Sequence, residues 1–351
     1  MATTFRTTER TWSGLISALL AGRDLSTADA SWAMDDLVRG TATSAQISGF
    51  LIALRAKGET AAELGGLADA LRSHASPVTI PGTFVDIVGT GGDGTGAVNL
   101  STLAAIVVAS TGTTVVKHGG RAASSTTGGS ADLVEHLGIP LDLPADRAAS
   151  IAAEAGITYL FAPRFNPALR HVAAVRRDLA VPTAFNVLGP LLNPAHPRHQ
   201  LVGVADARIQ PVIASTLAAR GTTALVVRGD DGLDKLTTTS TSQVYVVRDG
   251  TCTATSFDPR HLGIPLSHPT QLRGGDAYTN SAILQRLLAG VRDPIRDAVL
   301  LNAAAALTTT TLTTAPLADQ LATHLVRCAE AIDTGQTTTT LRRWIAAARQ
   351  A

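Results

Sequence analysis

Apolar side chains recur at two different periods along the chain, and the change of period divides it. Between residues 10 and 75 they return every three or four positions, as at Ile47, Phe50, Leu51 and Leu54, which is the stripe of an amphipathic helix. Ser26 followed three residues later by Asp29 has the form of a helix-starting cap, because a side-chain oxygen at that spacing can take up an unpaired N–H of the first turn. The pattern predicts a small helical domain over residues 1–76, joined by a later helical insertion near 165–190. After Pro77 the texture changes. VDIVG, TTVVKHG, TALVVRG and QVYVVRDG are short β-branched runs ending in glycine or charge, spaced by segments of helical pattern. That alternation predicts an α/β domain over 77–351 with a mostly parallel central sheet. Threonine clusters at 237–241, 308–314 and 337–340 have no period; they read as loops or helix ends and are assigned no function.

Composition narrows the function classes. At 351 residues, with 45% apolar, 4% aromatic and 16% charged residues, the chain can bury a large core built from Ala, Val, Leu and Ile rather than rings. Lys plus Arg number 29 against 28 for Asp plus Glu, a net charge of +1, so no basic field gathers nucleic acid or an anionic membrane. An anionic ligand must be held locally. Cys252 and Cys328 lie far apart without CxxC or Cys/His spacing, which points to two small apolar residues rather than a zinc site or disulfide framework. The N-terminal MATTFRTTERTW has no basic segment followed by an apolar run, and no stretch reaches the ~18 uninterrupted apolar residues of a membrane span. The expectation is a cytoplasmic protein.

Chemistry concentrates after two of the strand-like runs. DIVGTGGDGTGAVNLS, Asp86 to Ser101, contains GTGGDG, which has the glycine spacing of a dinucleotide-binding fingerprint. That fingerprint needs an acid about 20 positions on, and IVVASTGTTVV near residues 106–116 has none. A P-loop would need Gly-Lys followed by Ser or Thr, also missing. What remains is a strand ending at Val88, a glycine turn with accessible amides, and Asn99, Ser101 and Thr102 opening a helix. Amides, hydroxyls and a helix N-terminus together suit a phosphate or pyrophosphate, although an ordinary glycine-rich βα turn would look the same. The next block, KHGGRAASSTTGGSADLVEHLG from Lys117 to Gly138, is dense in cations, hydroxyls and glycine. Two such segments at consecutive strand ends surround one crevice, where open α/β sheets bind ligands.

GTGGD with NLST, KHGGR…SS…GSAD, FNVLGPLLNP (185–194), DGLD (231–234) and LRGGD (272–276) resemble, in this order and spacing, the anthranilate phosphoribosyltransferase family. TATSAQISGFLIALRAKGET is similar to the family's helical start, so the likeness covers nearly the whole chain. The resemblance implies a fold of the nucleoside phosphorylase/phosphoribosyltransferase type, a homodimer through the helical domain, and transfer of a phosphoribosyl group from phosphoribosyl pyrophosphate to an aromatic carboxylate acceptor, a step of tryptophan biosynthesis. It implies that Gly89, Gly92 and Asp93 bind the donor's pyrophosphate end and Asn99, Ser101 and Thr102 its phosphates, with Lys117 facing phosphate oxygens. His118, Gly119, Gly120 and Arg121 belong to the same substrate-binding stretch, and Ser124, Ser125 and Ser130 add hydroxyl donors. Arg176 matches the arginine that meets the acceptor's carboxylate, a bidentate partner by its geometry. Magnesium is implied, with Ser101 and Asp234 as its ligands. No residue is assigned as acid or base, since such a transfer needs charge neutralised and the acceptor positioned more than a strong base.

Departures from the family pattern gather on the acceptor and metal sides. Gly120 stands where the family has asparagine, Asn166 where it usually has histidine, and Pro182 where arginine is usual; SSTTGGSAD carries one additional residue. DGLDK replaces DGLDE, so Lys235 takes the place of the second acid and puts a cation where an anion held metal. These changes suit another aromatic acid or a relaxed anthranilate site, with fewer ions than usual. A nucleoside phosphorylase of the same fold and a non-catalytic ligand-binding homologue stay open as alternatives.

Overall fold

The computed structural model describes residues 10–121 and 128–350. It forms two compact units, one of residues up to 75 together with 166–188, the other of 76–165 and 189–351.

In the first unit α1 (Trp12–Leu20), α2 (Thr27–Arg39), α3 (Ser44–Lys57) and α4 (Ala61–Ser73) each begin on a hydroxyl, from Thr11, Ser26, Thr43 and Thr60, that accepts an N–H of the first turn. At α2 the Asp29 N–H donates to Ser26 Oγ at 3.1 Å and the hydroxyl donates back to the Asp29 carboxylate at 2.6 Å, as the spacing predicts. Ile47, Phe50, Leu51 and Leu54 are all buried. A Cβ at Gly66 would lie 2.3 Å from the Thr27 carbonyl oxygen, so the missing side chain is what lets α4 close on α2. A second stretch adds the helix Arg170–Leu179, which buries Val172 and Val175, and the short turn Phe185–Leu188.

The second unit is built on seven strands: β1 (Phe84–Gly89), β2 (Thr114–Gly119), β3 (Ile157–Phe161), β4 (His199–Gly203), β5 (Thr223–Gly229), β6 (Ser242–Arg248) and β7 (Thr251–Phe257). They lie in the order β3-β2-β1-β4-β5-β6-β7. The five from β3 to β5 are parallel; β6 and β7 add an antiparallel hairpin. Two helices run through the interior. The helix Leu100–Ser110 (α5) and the helix Pro294–Thr308 are buried on nearly every face, and their alanines allow the close approach that a ring-poor core requires. The threonine clusters fall in the loop after β5, at the end of the helix Pro294–Thr308 and just beyond, and inside the first turns of the helix Gln336–Arg349. The last is thus helix proper, with Thr337 and Thr340 buried.

The chain winds outward through β1, β2 and β3, then returns to the other side of β1 with β4. The switch point therefore lies between β1 and β4, and the carboxyl ends of those strands are where an open sheet offers a crevice. Among the described residues no helix is long and apolar enough to cross a membrane.

Candidate active site

At the switch point β1 and β4 end on a register pair of glycines, Gly89 and Gly203. Both are needed by what crosses them. A Cβ at Gly203 would lie 1.5 Å from the Asp234 carbonyl oxygen, and one at Gly89 would lie 2.2 Å from Asp234 Oδ2 and 2.6 Å from Lys235 Nζ. The DGLDK segment is thereby seated directly on the strand ends.

From Gly89 the chain enters the glycine loop, where Gly91, Gly92, Gly94 and Gly96 all have φ between 66° and 75°, a region that side-chain-bearing residues rarely adopt. Asp93 holds this loop. Its Oδ1 accepts the Thr95 N–H and hydroxyl, each at 2.9 Å, and its Oδ2 accepts the Asp234 N–H at 3.4 Å. Burial opposes the Asp93 charge, but these donors and the nearby Lys235 ammonium more than offset it, leaving its pKa below the usual carboxylate range. Gly91 N–H donates to Asp234 Oδ2 at 2.8 Å.

The loop runs into α5, whose N-cap is Asn99. The Asn99 side chain does not cap the helix. Its amide donates to the Gly128 carbonyl at 2.9 Å and its oxygen accepts from Asn280 Nδ2 at 2.7 Å. Asn280 in turn accepts the Gly275 N–H at 3.1 Å, and Gly128 N–H donates to Gly275 O at 3.2 Å. LRGGD pairs with the glycine loop through Gly274 N–H to Gly96 O and Val98 N–H to Leu272 O, both 2.9 Å. Three segments distant in sequence are tied together by two asparagines. Thr102 is fully buried, whereas Ser101 is half-buried at the open end of α5.

Lys117, near the end of β2, is buried; its ammonium donates to the Ile87 carbonyl and, at 3.3 Å, to Ser101 Oγ. Burial, helped by the Lys235 charge, lowers its pKa to about 8 against the pull of Asp86 and Asp234. Asp86, wholly buried on β1, is pushed up to about 6 by burial, opposed by Lys117, by Asn193 Nδ2 at 3.0 Å and by the His118 N–H. His118 is buried as well, which lowers its pKa to about 4 and keeps its ring neutral at physiological pH; Nε2 has no partner among the described residues. At the end of β2, a Cβ at Gly119 would meet the Tyr159 hydroxyl at 2.7 Å and Ser130 Oγ at 2.9 Å, while one at Gly120, just beyond, would meet among the described residues nothing nearer than Ala162 Cβ at 4.0 Å. Ser130 pairs with the Tyr159 hydroxyl at 3.0 Å, and Arg121 reaches Asp132 and Glu135. Ser124 and Ser125 lie outside the described residues.

The second unit thus joins Gly89 and Asp93 to Asp234, and Lys117 to Ser101, two residues into the helix that Asn99 begins. Asn166 and Arg176 belong to the first unit. Asn166 is buried with neither amide atom partnered among the described residues. The Arg176 guanidinium stands 5.2 Å from the centre of the Phe185 ring, and burial lowers its pKa; it has no carboxylate partner among the described residues. Asp86 and Asn193 were missed in the sequence. An acid inside the apolar run VDIVG was the available signal, since an interior strand carries a charge only where something meets it.

Magnesium takes hard oxygen ligands, commonly one or two carboxylates with waters and substrate phosphates. Ser101 fits that role, with a hydroxyl at the open helix end. The Asp234 carboxylate is already engaged, one oxygen accepting Gly91 N–H and the other the Lys235 ammonium, a positive charge that opposes a cation at that oxygen.

Glycine amides, a helix end and a buried ammonium grouped at the switch point make a site suited to a phosphorylated ligand, and comparison with known families places it in a glycosyl transferase. The helical-bundle domain of a glycosyl transferase family matches residues 13–75 and the a/b domain of that family matches 81–338. The chain belongs to this family and, within it, to the anthranilate phosphoribosyltransferases. The protein of that name from Streptomyces griseus is 53% identical over 338 residues, 96% of this chain and 95% of the relative. The anthranilate phosphoribosyltransferase of Thermus thermophilus superposes with a TM-score of 0.88 at 37% identity, covering 95% of this chain and 99% of that one. The Saccharomyces cerevisiae protein, solved in complex with PRPP and Mg, superposes at 0.87 with 27% identity over 98% and 99% of the two chains.

Proposed function

We propose that the protein transfers the phosphoribosyl group of phosphoribosyl pyrophosphate to the amine of anthranilate or a related aromatic carboxylate, releasing pyrophosphate. The observation that carries this reading is the buried Lys117 ammonium set beside the glycine loop and the N-terminus of α5. The C1–O bond breaks with its electrons leaving on pyrophosphate, the acceptor nitrogen forms the new C–N bond, and the amine then loses a proton. Amides of the loop, with Lys117, neutralise the leaving group where charge develops. Magnesium bound with the donor would screen that charge further, and the Ser101 hydroxyl would be its protein ligand. Arg176 holds the acceptor's carboxylate. Mass spectrometry after incubation with the donor and a panel of aromatic acids tests the assignment: a ribosylated acid identifies the acceptor, and donor binding without any product would sink it.

The half-buried guanidinium of Arg176, which has no carboxylate partner among the described residues, supports the carboxylate contact. Arg176→Ala is expected to raise the acceptor's KM about 10- to 100-fold, the cost of one charge-assisted hydrogen-bonded pair, with the donor's KM little changed. An effect confined to the donor would mean that the carboxylate is held elsewhere. Lys117 gives a pH dependence. With a pKa of about 8 in the free protein, its charged form is complete well below that pH and is lost as pH rises through it. The donor's kcat/KM is therefore expected to fall about tenfold per unit at high pH, and Lys117→Arg to move the fall upward; a flat profile from pH 7 to 9.5 would contradict the phosphate role.

The protein is further proposed to act as a homodimer through its helical unit, where Leu20 and Ile52 are exposed, and in the cytoplasm, where a membrane-impermeant phosphorylated donor is made. Sedimentation velocity reads the first.

A further inference from the structure

The DGLDK segment ends in an ion pair between sequence neighbours. Lys235 is buried, and its ammonium donates to the Asp234 carbonyl oxygen at 2.7 Å and to the Asp234 carboxylate. The second carboxylate oxygen accepts the Gly91 N–H at 2.8 Å. Among the described residues no group of three His, Cys, Asp or Glu side chains could hold a metal ion. A buried pair like this returns little stability once both charges are desolvated, so its position calls for another explanation.

That position is the strand end itself. A Cβ at Gly89 would lie 2.6 Å from Lys235 Nζ, which places the ammonium against the first residue of the glycine loop. It is near enough to lower the pKa of Lys117 and to favour the Asp93 carboxylate. An ammonium has three N–H donors. Two meet Asp234, and the third has no acceptor among the described residues.

We infer that Lys235 is the resident cation of the donor site: its ammonium closes the Asp234 carboxylate to metal and offers the donor's pyrophosphate oxygens the charge that a carboxylate-held ion would bring. This rests on the donor reading above. An ammonium on a flexible stem can donate to phosphate without any ion to bridge. The protein therefore needs a divalent ion only as one that travels with the donor.

Two binding measurements test this without turnover. Calorimetry with phosphoribosyl pyrophosphate, acceptor omitted, compares magnesium with EDTA. The natural protein and Lys235→Arg are expected to lose at most about threefold in affinity in EDTA, and Lys235→Met about tenfold or more. Titration of manganese into donor-free protein, read by the electron paramagnetic resonance of the free ion, is expected to show binding by Lys235→Glu at least about tenfold tighter than by the natural protein. Thermal melts check that each variant is folded. Equal sensitivity of the natural protein and Lys235→Met to EDTA, or equal manganese affinity with lysine and glutamate at 235, would overturn the inference while leaving the donor reading intact. No donor binding by the natural protein even with magnesium would overturn both.

Discussion

Alanine at Gly203 is expected to abolish donor binding and to destabilise the α/β unit by about 3 kcal/mol or more, at the upper end of overpacking effects. The added Cβ would sit 1.5 Å from the Asp234 carbonyl oxygen, an overlap that no rotamer change can relieve because the atom it meets is backbone. Asp234 cannot yield alone. Its N–H is held by Asp93 and its carboxylate by Gly91 and Lys235, so moving it moves the glycine loop. A chemical-denaturation midpoint together with donor calorimetry reads both effects. Gly189→Ala is the control, because a Cβ there meets nothing within 4 Å among the described residues. Similar stability and donor affinity in both variants would show that the crossing of DGLDK over β4 is not what shapes the site.

The second large effect is expected at Asp93, with the opposite signature. Asp93→Ala should lower kcat/KM for the donor by about 100-fold while the melting temperature stays close to that of the natural protein, since misplacing binding groups by about an ångström costs that much. The side chain packs little but organises much. It spans the loop, taking two donors from Thr95 and one from Asp234, and four left-handed glycines give that loop many other shapes once the carboxylate is gone. Asp93→Asn keeps an acceptor oxygen and should lose less. Full activity in Asp93→Ala would remove the loop from the donor site.

How much was legible in the sequence follows the range of the interactions. The helix start at Ser26 depends on a spacing of three residues, and the strands of VDIVG and TALVVRG on runs of β-branched side chains, so both show in a short window. HQLVG and ITYLF became β4 and β3 although five residues hold too little pattern to separate strand from buried helix. TCTATSF became β7 with only Phe257 buried, because an edge strand needs no apolar alternation. At the site, glycines and hydroxyls announced an anion-binding turn. The partners of Asn99, at residues 128 and 280, could not be read, since nothing local marks which of many asparagines will meet. Asp86 looked like one polar residue in an apolar run. Lys235 stood out only against the motif it interrupts, and its grip on Asp234 shows only in the folded chain.

The latch between Asn99 and Asn280 spans 181 residues of sequence, and that separation sets when the site can come into being. During synthesis the chain emerges from its N-terminus, so β1, the glycine loop and α5 are outside the ribosome long before LRGGD and the helix Ala277–Leu288 that close them. Contacts at such separation are made late, after the entropy of the long intervening loop has been overcome. A nascent chain halted before residue 280 would carry Gly89, Asp93, Ser101, Lys117 and Asp234 and still lack the Asn280 side chain that clasps Asn99, so the site's hydrogen-bond frame is complete only once that distant segment has been made.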